Sequence, residues 1–248
     1  MISTHQTHLR AINKYSFRVI LMVALAGLLS ACQATGRVLA DSNDTTTGPN
    51  KSIYYVYLAG PEVFLPKPIA AGIEKKVTIA KLSKQNDWPF ELIGLYPMDN
   101  DIPDFAPNFA TGIKIYEANI ALMDKADFVA ANMVRFRGPS MDVGTAFEMG
   151  YMRGLNKPVF AYYESEPFYG SKEAPGLYTD RIAKFYPMSV NDPTKDQFGQ
   201  SIEDFKMADN LMMIGALSSG NSEISTSFEE AILQIAEFIK SQPKHSAQ

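Results

Sequence analysis

The stretch Ala126 to Tyr163, "ADFVAANMVRFRGPSMDVGTAFEMGYMRGLNKPVFAYY", carries the pattern from which the fold can be read. Ala126 to Met133 and Lys157 to Tyr163 are short apolar runs rich in valine, alanine and aromatic residues, the composition of buried strands. Between them the spacing becomes helical. With Ser140 as N-cap, a helix runs from Met141 to about Arg153 and closes at Gly154, with Val143, Phe147 and Gly150 as its inward stripe. Strand, helix and strand in this order predict parallel pairing beneath a covering helix.

The same alternation extends outward. Ile53 to Gly60, "IYYVYLAG", reads as a first strand stopped by Gly-Pro, and Phe90 to Pro97, "FELIGLYP", as a second. Helical spacing covers about Pro68 to Gln85, and Asn108 to Lys125 with Ile113, Tyr116, Ile120 and Met123 on one side. Ser227 to Lys240 forms a closing amphipathic helix. The expected fold class is α/β, a doubly wound parallel sheet in one domain over 52–243. Ligands of such sheets gather at the carboxyl ends of the strands. There the sequence places Gly60-Pro61-Glu62, Asp99-Asn100-Asp101, the stretch from Arg135 to Asp142, and Glu164. Ser165 to Asp204, rich in Pro, Gly and Tyr, is longer than an ordinary connection and reads as a lid or interface.

The 248 residues suffice for one good-sized core, and 46% hydrophobic with 20% charged residues is an ordinary globular balance. A formal charge of −4 without a basic run in the body argues against nucleic acid as partner. Residues 1–31 differ: Arg10, Lys14 and Arg18 precede the apolar run Val19 to Ala31, which is short for a membrane span and reads as a signal peptide. Leu29-Ser30-Ala31-Cys32 resembles the lipobox of bacterial lipoproteins, which implies cleavage before Cys32 and lipid on that residue; an ordinary signal peptide or a small buried cysteine is the alternative. Gln33, where an aspartate would favour the inner membrane, points to the periplasmic face of the outer membrane. Residues 32–51 then form a flexible tether to a domain carrying about −7. The histidines, His5, His8 and His245, lie at the two ends of the chain and make no metal cluster, so no metal or organic cofactor is expected.

Two acids in the central motif ask for an explanation. Asp142, in the first turn, either serves the helix dipole alone or also takes part in a site. Glu148 stands between Phe147 and Met149, where an unpaired carboxylate is costly. It is either paired with Arg135, Arg137 or Arg153, or it is a nucleophile that attacks a sugar anomeric carbon. Six residues put the two acids on different helix faces, so they can share a pocket only with Asp142 reaching from the helix mouth.

Five blocks in order, "YLAGPEVF" (Tyr57 to Phe64), "YPMDN" (Tyr96 to Asn100), "ANIALMDKADFVAANM" (Ala118 to Met133), "FRGPSMDVGTAFEMGYMRGLNKPVFAY" (Phe136 to Tyr162) and "ADNLM" (Ala208 to Met212), resemble the nucleoside 2-deoxyribosyltransferase family. The resemblance implies a flavodoxin-like fold, 2′-deoxynucleosides and free nucleobases as ligands, and homo-oligomers whose neighbours complete each active site. It makes Glu148 the nucleophile and Asp142 the acid that holds sugar hydroxyls. Asn210 matches an asparagine reaching into the adjoining subunit, and Gly60 and Phe64 match the loop lining the base. Asn119 stands where well-known members carry an aspartate facing the base; an amide bonds a base but supplies no acid, which leaves Asp99 or Asp101 as proton donor. Relatives that hydrolyse deoxynucleoside 5′-monophosphates carry a small residue in place of Asp142, with the phosphate near the serine, here Ser140. A carboxylate there repels phosphate by about 1 kcal/mol even at water's dielectric, which favours nucleosides. The expected reaction is transfer of a deoxyribosyl group between bases. An exported N-glycoside hydrolase and a silent nucleoside-binding lipoprotein are the alternatives.

Overall fold

A computed structural model describes residues 51–218 and 223–242, all within one compact unit. Its centre is a four-stranded, wholly parallel sheet in the order β2-β1-β3-β4: β1 Ser52–Ala59, β2 Phe90–Leu95, β3 Phe128–Asn132 and β4 Val159–Tyr162. Register is set by pairs such as Tyr57↔Leu95, Tyr57↔Val129 and Ala131↔Ala161. A parallel bridge from Tyr162 to Ser225 lies at the outer edge of β4.

Every residue of β3 and β4 is buried, because helices cover both faces. Val56, Leu58, Phe128, Ala130, Phe160 and Tyr162 pack towards α1 (Pro68–Gln85) and the last helix, α7 (Phe228–Ser241). Tyr57, Ala59, Val129, Ala131, Val159 and Ala161 pack towards α2 (Phe109–Lys125) and α3 (Val143–Gly154). The alternation of large and small residues along β1, β3 and β4 lets each helix lie close to the sheet. Asn108 caps α2 by accepting from the Thr111 amide at 3.0 Å, and Ser227 caps α7 by accepting from that of Glu230 at 3.2 Å. Chain order reverses between β1 and β3, and the crevice at that switch point is where the chemistry-bearing residues gather.

The long connection after β4 is built rather than bare. It contains α4 (Glu166–Tyr169), α5 (Tyr178–Phe185) and two antiparallel bridges, Met188↔Asp196 and Lys195↔Ser201, before the short helix α6 (Leu211–Gly215).

Three expectations for the central helix are corrected. It starts at Val143, not Met141: Asp142 is the N-cap, its carboxylate accepting from the Thr145 amide at 2.9 Å, while the Ser140 hydroxyl donates to Asp209. Gly154 is the last helical residue, and the left-handed residue of the exit is Asn156, with φ 58°. The inward stripe is Thr145, Met149 and Met152; Val143 and Phe147 are 84% and 50% exposed. Ile113 and Tyr116 of α2 are exposed as well, and Tyr116 meets Phe147 with ring centroids 6.1 Å apart. Periodicity marks these side chains as apolar-face residues, but no other described residue covers the face they form. Cys32, the signal peptide over 1–31 and nearly all of the 32–51 tether lie outside the described residues. No helix among the described residues is long and apolar enough to cross a membrane.

Candidate active site

Glu148 occupies the second turn of α3, half-buried, where the helix lies against β1. Its partner is a tyrosine. Tyr57 of β1, wholly buried, donates its hydroxyl to Glu148 Oε1 at 2.6 Å. Among the described residues the arginine ion pairs are Arg135–Glu173 and Arg181–Asp209, so the arginine clamp offered as the alternative for Glu148 is not formed. Burial pushes the Glu148 carboxyl up to about 7; the Tyr57 hydrogen bond opposes the rise, and the negative charges of Asp142 and Glu62 add to it. Burial and the neighbouring Glu148 together hold the Tyr57 phenol far above its ordinary range, so it remains a donor. The result is a carboxylate poised near neutrality, oriented by one hydrogen bond and otherwise uncommitted.

Asp142 has two duties. Its Oδ2 takes both the amide and the hydroxyl of Thr145, at 2.9 and 3.0 Å, while its charge reaches Glu148. A Cβ on Gly144 would stand 3.1 Å from that oxygen, so glycine keeps the approach to the cap open; Gly150 faces open space and marks no close contact.

The loop entering α3 rests on a floor that the sequence did not single out. Asp209, 1% exposed, accepts from the Ser140 hydroxyl, from the Met141 amide at 3.2 Å and from the Asn210 amide at 2.8 Å. Arg181 of α5 pairs with it at 3.2 Å and spends its other donors on the carbonyls of Pro139, Pro175 and Ala208. One guanidinium thereby fastens the long connection to the mouth of α3. Asn210 caps α6, accepting from the Met212 amide at 3.0 Å and donating to Glu203 Oε2 at 2.7 Å, both within its own chain.

On the β1 side, Gly60 is required by packing: a Cβ there would lie 1.9 Å from Glu62 Oε2. Glu62, which the sequence marks only as a rim residue, is 3% exposed. It pairs with Lys75 at 2.8 Å and accepts from Asn132 Nδ2 at 2.8 Å and the Tyr162 hydroxyl at 3.2 Å. The Lys75 ammonium lies 4.6 Å from the ring centres of both Tyr162 and Phe228. This network borders a cavity of about 470 Å³ on the α1–α7 side of the sheet, away from Glu148. Phe64, 53% exposed, stacks on Phe136 with centroids 5.2 Å apart.

The residues that follow β2 divide by role. Asp99 accepts from the Tyr96 amide at 2.8 Å and pairs with Lys76, so its carboxylate is committed to holding its own turn. Asn119 lies beside that turn, its Oδ1 accepting from Asn100 Nδ2 at 3.1 Å. Glu148, Asp142 and the Gly60–Phe64 turn thus come together at the β1/β3 switch point. Asn210 and Asp99 are anchored locally instead.

A family model described as nucleoside 2-deoxyribosyltransferase matches residues 56–212. An uncharacterized protein of Schizosaccharomyces pombe is 27% identical over 197 residues, 75% of this chain and 90% of that protein. Among solved structures, the 2-desoxiribosyltransferase from Leishmania mexicana is 26% identical, with 74% of this chain and 97% of that one covered and a TM-score of 0.47. A conserved protein from Enterococcus faecalis V583 is 21% identical, with 75% and 99% covered and a TM-score of 0.46. The matched segment runs through β1, the whole α3 motif with Glu148, and Asn210, and the chain belongs to the nucleoside 2-deoxyribosyltransferase family.

Proposed function

We propose that this chain moves a 2′-deoxyribosyl group between nucleobases through a covalent intermediate on Glu148. The observation that carries the reading is the state of that carboxylate: half-buried, paired with no described arginine, raised to about 7 and oriented by Tyr57. In the first half-reaction a Glu148 oxygen attacks C1′. The C1′–N bond breaks with its electron pair leaving on the base nitrogen, which takes a proton. In the second, a nitrogen of the incoming base attacks C1′, gives its proton back to the group that protonated the first base and frees the carboxylate, so configuration is retained. Asp142 receives a sugar hydroxyl, Phe64 stacks the base beside the Gly60 turn, and Asn119 hydrogen-bonds its edge. Asp99 is tied to Lys76, which leaves the exposed Asp101 as the freer of the two candidate acids on that rim. Water as the second acceptor turns the same intermediate into a hydrolytic one. The uncovered apolar face of Ile113, Tyr116, Val143 and Phe147 supports a homo-oligomer, in which Asn210 exchanges Glu203 for a neighbour's ligand. Export and lipidation at Cys32 complete the reading.

The test is trapping with a 2-fluoro-arabinosyl nucleoside followed by intact mass measurement. The wild-type chain gains one sugar and Glu148→Gln gains none; equal labelling of both removes Glu148 from the role. Incubation with deoxyinosine, with and without adenine, then separates transfer from hydrolysis by whether deoxyadenosine or free deoxyribose forms.

A further inference from the structure

Every residue of β3 is buried and all but the last are apolar; Asn132 closes the strand with an amide wholly shielded from solvent. Burying an amide is costly unless its polar atoms are satisfied, and here both ends are. Oδ1 accepts from the backbone amides of Val134 and Glu164, each at 3.1 Å. Nδ2 donates to Glu62 Oε1 at 2.8 Å and, more weakly, to the Glu164 carbonyl at 3.4 Å. The two backbone N–H groups converging on one end fix that end as the oxygen.

These partners belong to three different strand exits. Val134 follows β3 on the way to Asp142 and α3, Glu164 follows β4, and Glu62 lies in the turn after β1 that also carries Phe64. An asparagine that merely ended its own strand would bond to neighbouring backbone. Asn132 instead reaches a carboxylate 70 positions earlier and an amide 32 positions later. Glu62 is held in turn by Lys75 and the Tyr162 hydroxyl, so the link is fixed at both ends. Gly60 packs onto the same pair: a Cβ there would lie 3.1 Å from the Cβ of Asn132 as well as 1.9 Å from Glu62 Oε2.

Resting on the transfer reading above, we propose that Asn132 is a positioning residue for base transfer, setting the distance between the turn after β1 and the loop that leads into α3. It touches neither sugar nor base. After the first half-reaction the sugar is carried on Glu148 of α3, while the incoming base is held against the turn after β1. Attack by that base needs the two segments in register; attack by a small, freely diffusing water does not. A displacement of about 1 Å can cost on the order of 100-fold in rate. Loss of the link should therefore lower kcat with little change in KM, and shift the glycosyl ester from transfer towards hydrolysis.

The test measures the ratio of deoxyadenosine to free deoxyribose formed from deoxyinosine and adenine, alongside kcat, KM and melting temperature. Asn132→Asp keeps the acceptor for Val134 and Glu164 and cuts only the link to Glu62. It should lower kcat and the product ratio by roughly 10-fold or more each, while KM stays within about 3-fold. Glu62→Gln keeps an oxygen for the Asn132 donor, so its product ratio should stay near that of wild type, although both substitutions disturb the same buried network. Asn132→Ser, neutral and too short to reach Glu62, should repeat the Asn132→Asp result, and it carries the test if the Asn132→Asp chain does not fold. A role in folding alone would lower the melting temperature and leave the product ratio of the folded chain unmoved; that result overturns the proposal. So does a loss confined to KM, or an equal shift in Glu62→Gln. Sugar trapping on Glu148 is read separately. Trapping in the wild-type chain with an unmoved ratio in the variants refutes the role of Asn132 alone, and a wild-type chain that gives neither trapping nor deoxyadenosine refutes the parent reading.

Discussion

At Glu148 a single hydroxyl separates a buried, protonated acid from a usable nucleophile. The Tyr57 hydrogen bond favours the ionised form against the pull of burial. Activity is therefore expected to rise through an acid limb near pH 7 as the carboxylate ionises. Tyr57→Phe should move that limb to higher pH and lower kcat by about 10-fold. A pH–rate profile of kcat/KM checks both; an unmoved limb would separate Tyr57 from the nucleophile. The same group sets a stability trend. Folding raises its pKa from 4.5 to about 7, so the native state binds the extra proton between those values. Native stability falls as pH rises through that window, by up to about 3 kcal/mol. Glu148→Gln should accordingly outlast wild type in urea at pH 8 and match it near pH 4.

Among elements, α3 shows most clearly where a sequence stops being readable. Its existence, its position between β3 and β4 and its two acids follow from local pattern. Its first residue does not, because Ser140 and Asp142 are both good caps. The choice falls to Asp209, 69 residues further on, which takes the serine hydroxyl and leaves the aspartate to cap. The inward stripe escapes local reading for a related reason: Val143 and Phe147 are apolar but face outward, and no local rule distinguishes a core face from an uncovered one. Glu62 and Lys75 were equally hidden, since nothing in the spacing of a charged helix marks one lysine for burial between a carboxylate and two rings. The double duty of Asp142 can be separated by substitution. Asp142→Asn retains a capping side chain and should leave the melting temperature nearly unchanged while lowering the acid limb, because the charge facing Glu148 is gone. Asp142→Ala should lose about 1 kcal/mol in addition. A limb that stays in place in both variants would mean that the charge does not reach Glu148.

For the molecule as a whole, alternating apolar runs and helical segments were sufficient for the doubly wound sheet, because parallel strands buried on both faces write their burial into consecutive residues. Surfaces between molecules are written less plainly. Ile113, Tyr116 and Phe147 form an aromatic and aliphatic patch on α2 and α3, and a second copy of the chain is the occupant that the proposed function requires. Tyr116→Lys should dissociate the assembly and reduce turnover together while leaving the far-ultraviolet circular dichroism unaltered. Sedimentation velocity measures the first effect, and a fully active monomer would contradict the shared site.

The Arg181 fastening bears on how this protein can change over evolutionary time. Asp209 is buried and its carboxyl is raised by that burial, so it depends on the cation that the long connection supplies. Lysine cannot replace it, since one ammonium does not reach a carboxylate and three separate carbonyls at once. A descendant that shortened the segment carrying α5 would strand a negative charge beneath Ser140 and unsettle the entrance to α3. Appendage and catalytic floor are therefore inherited as one piece, to be kept or discarded together.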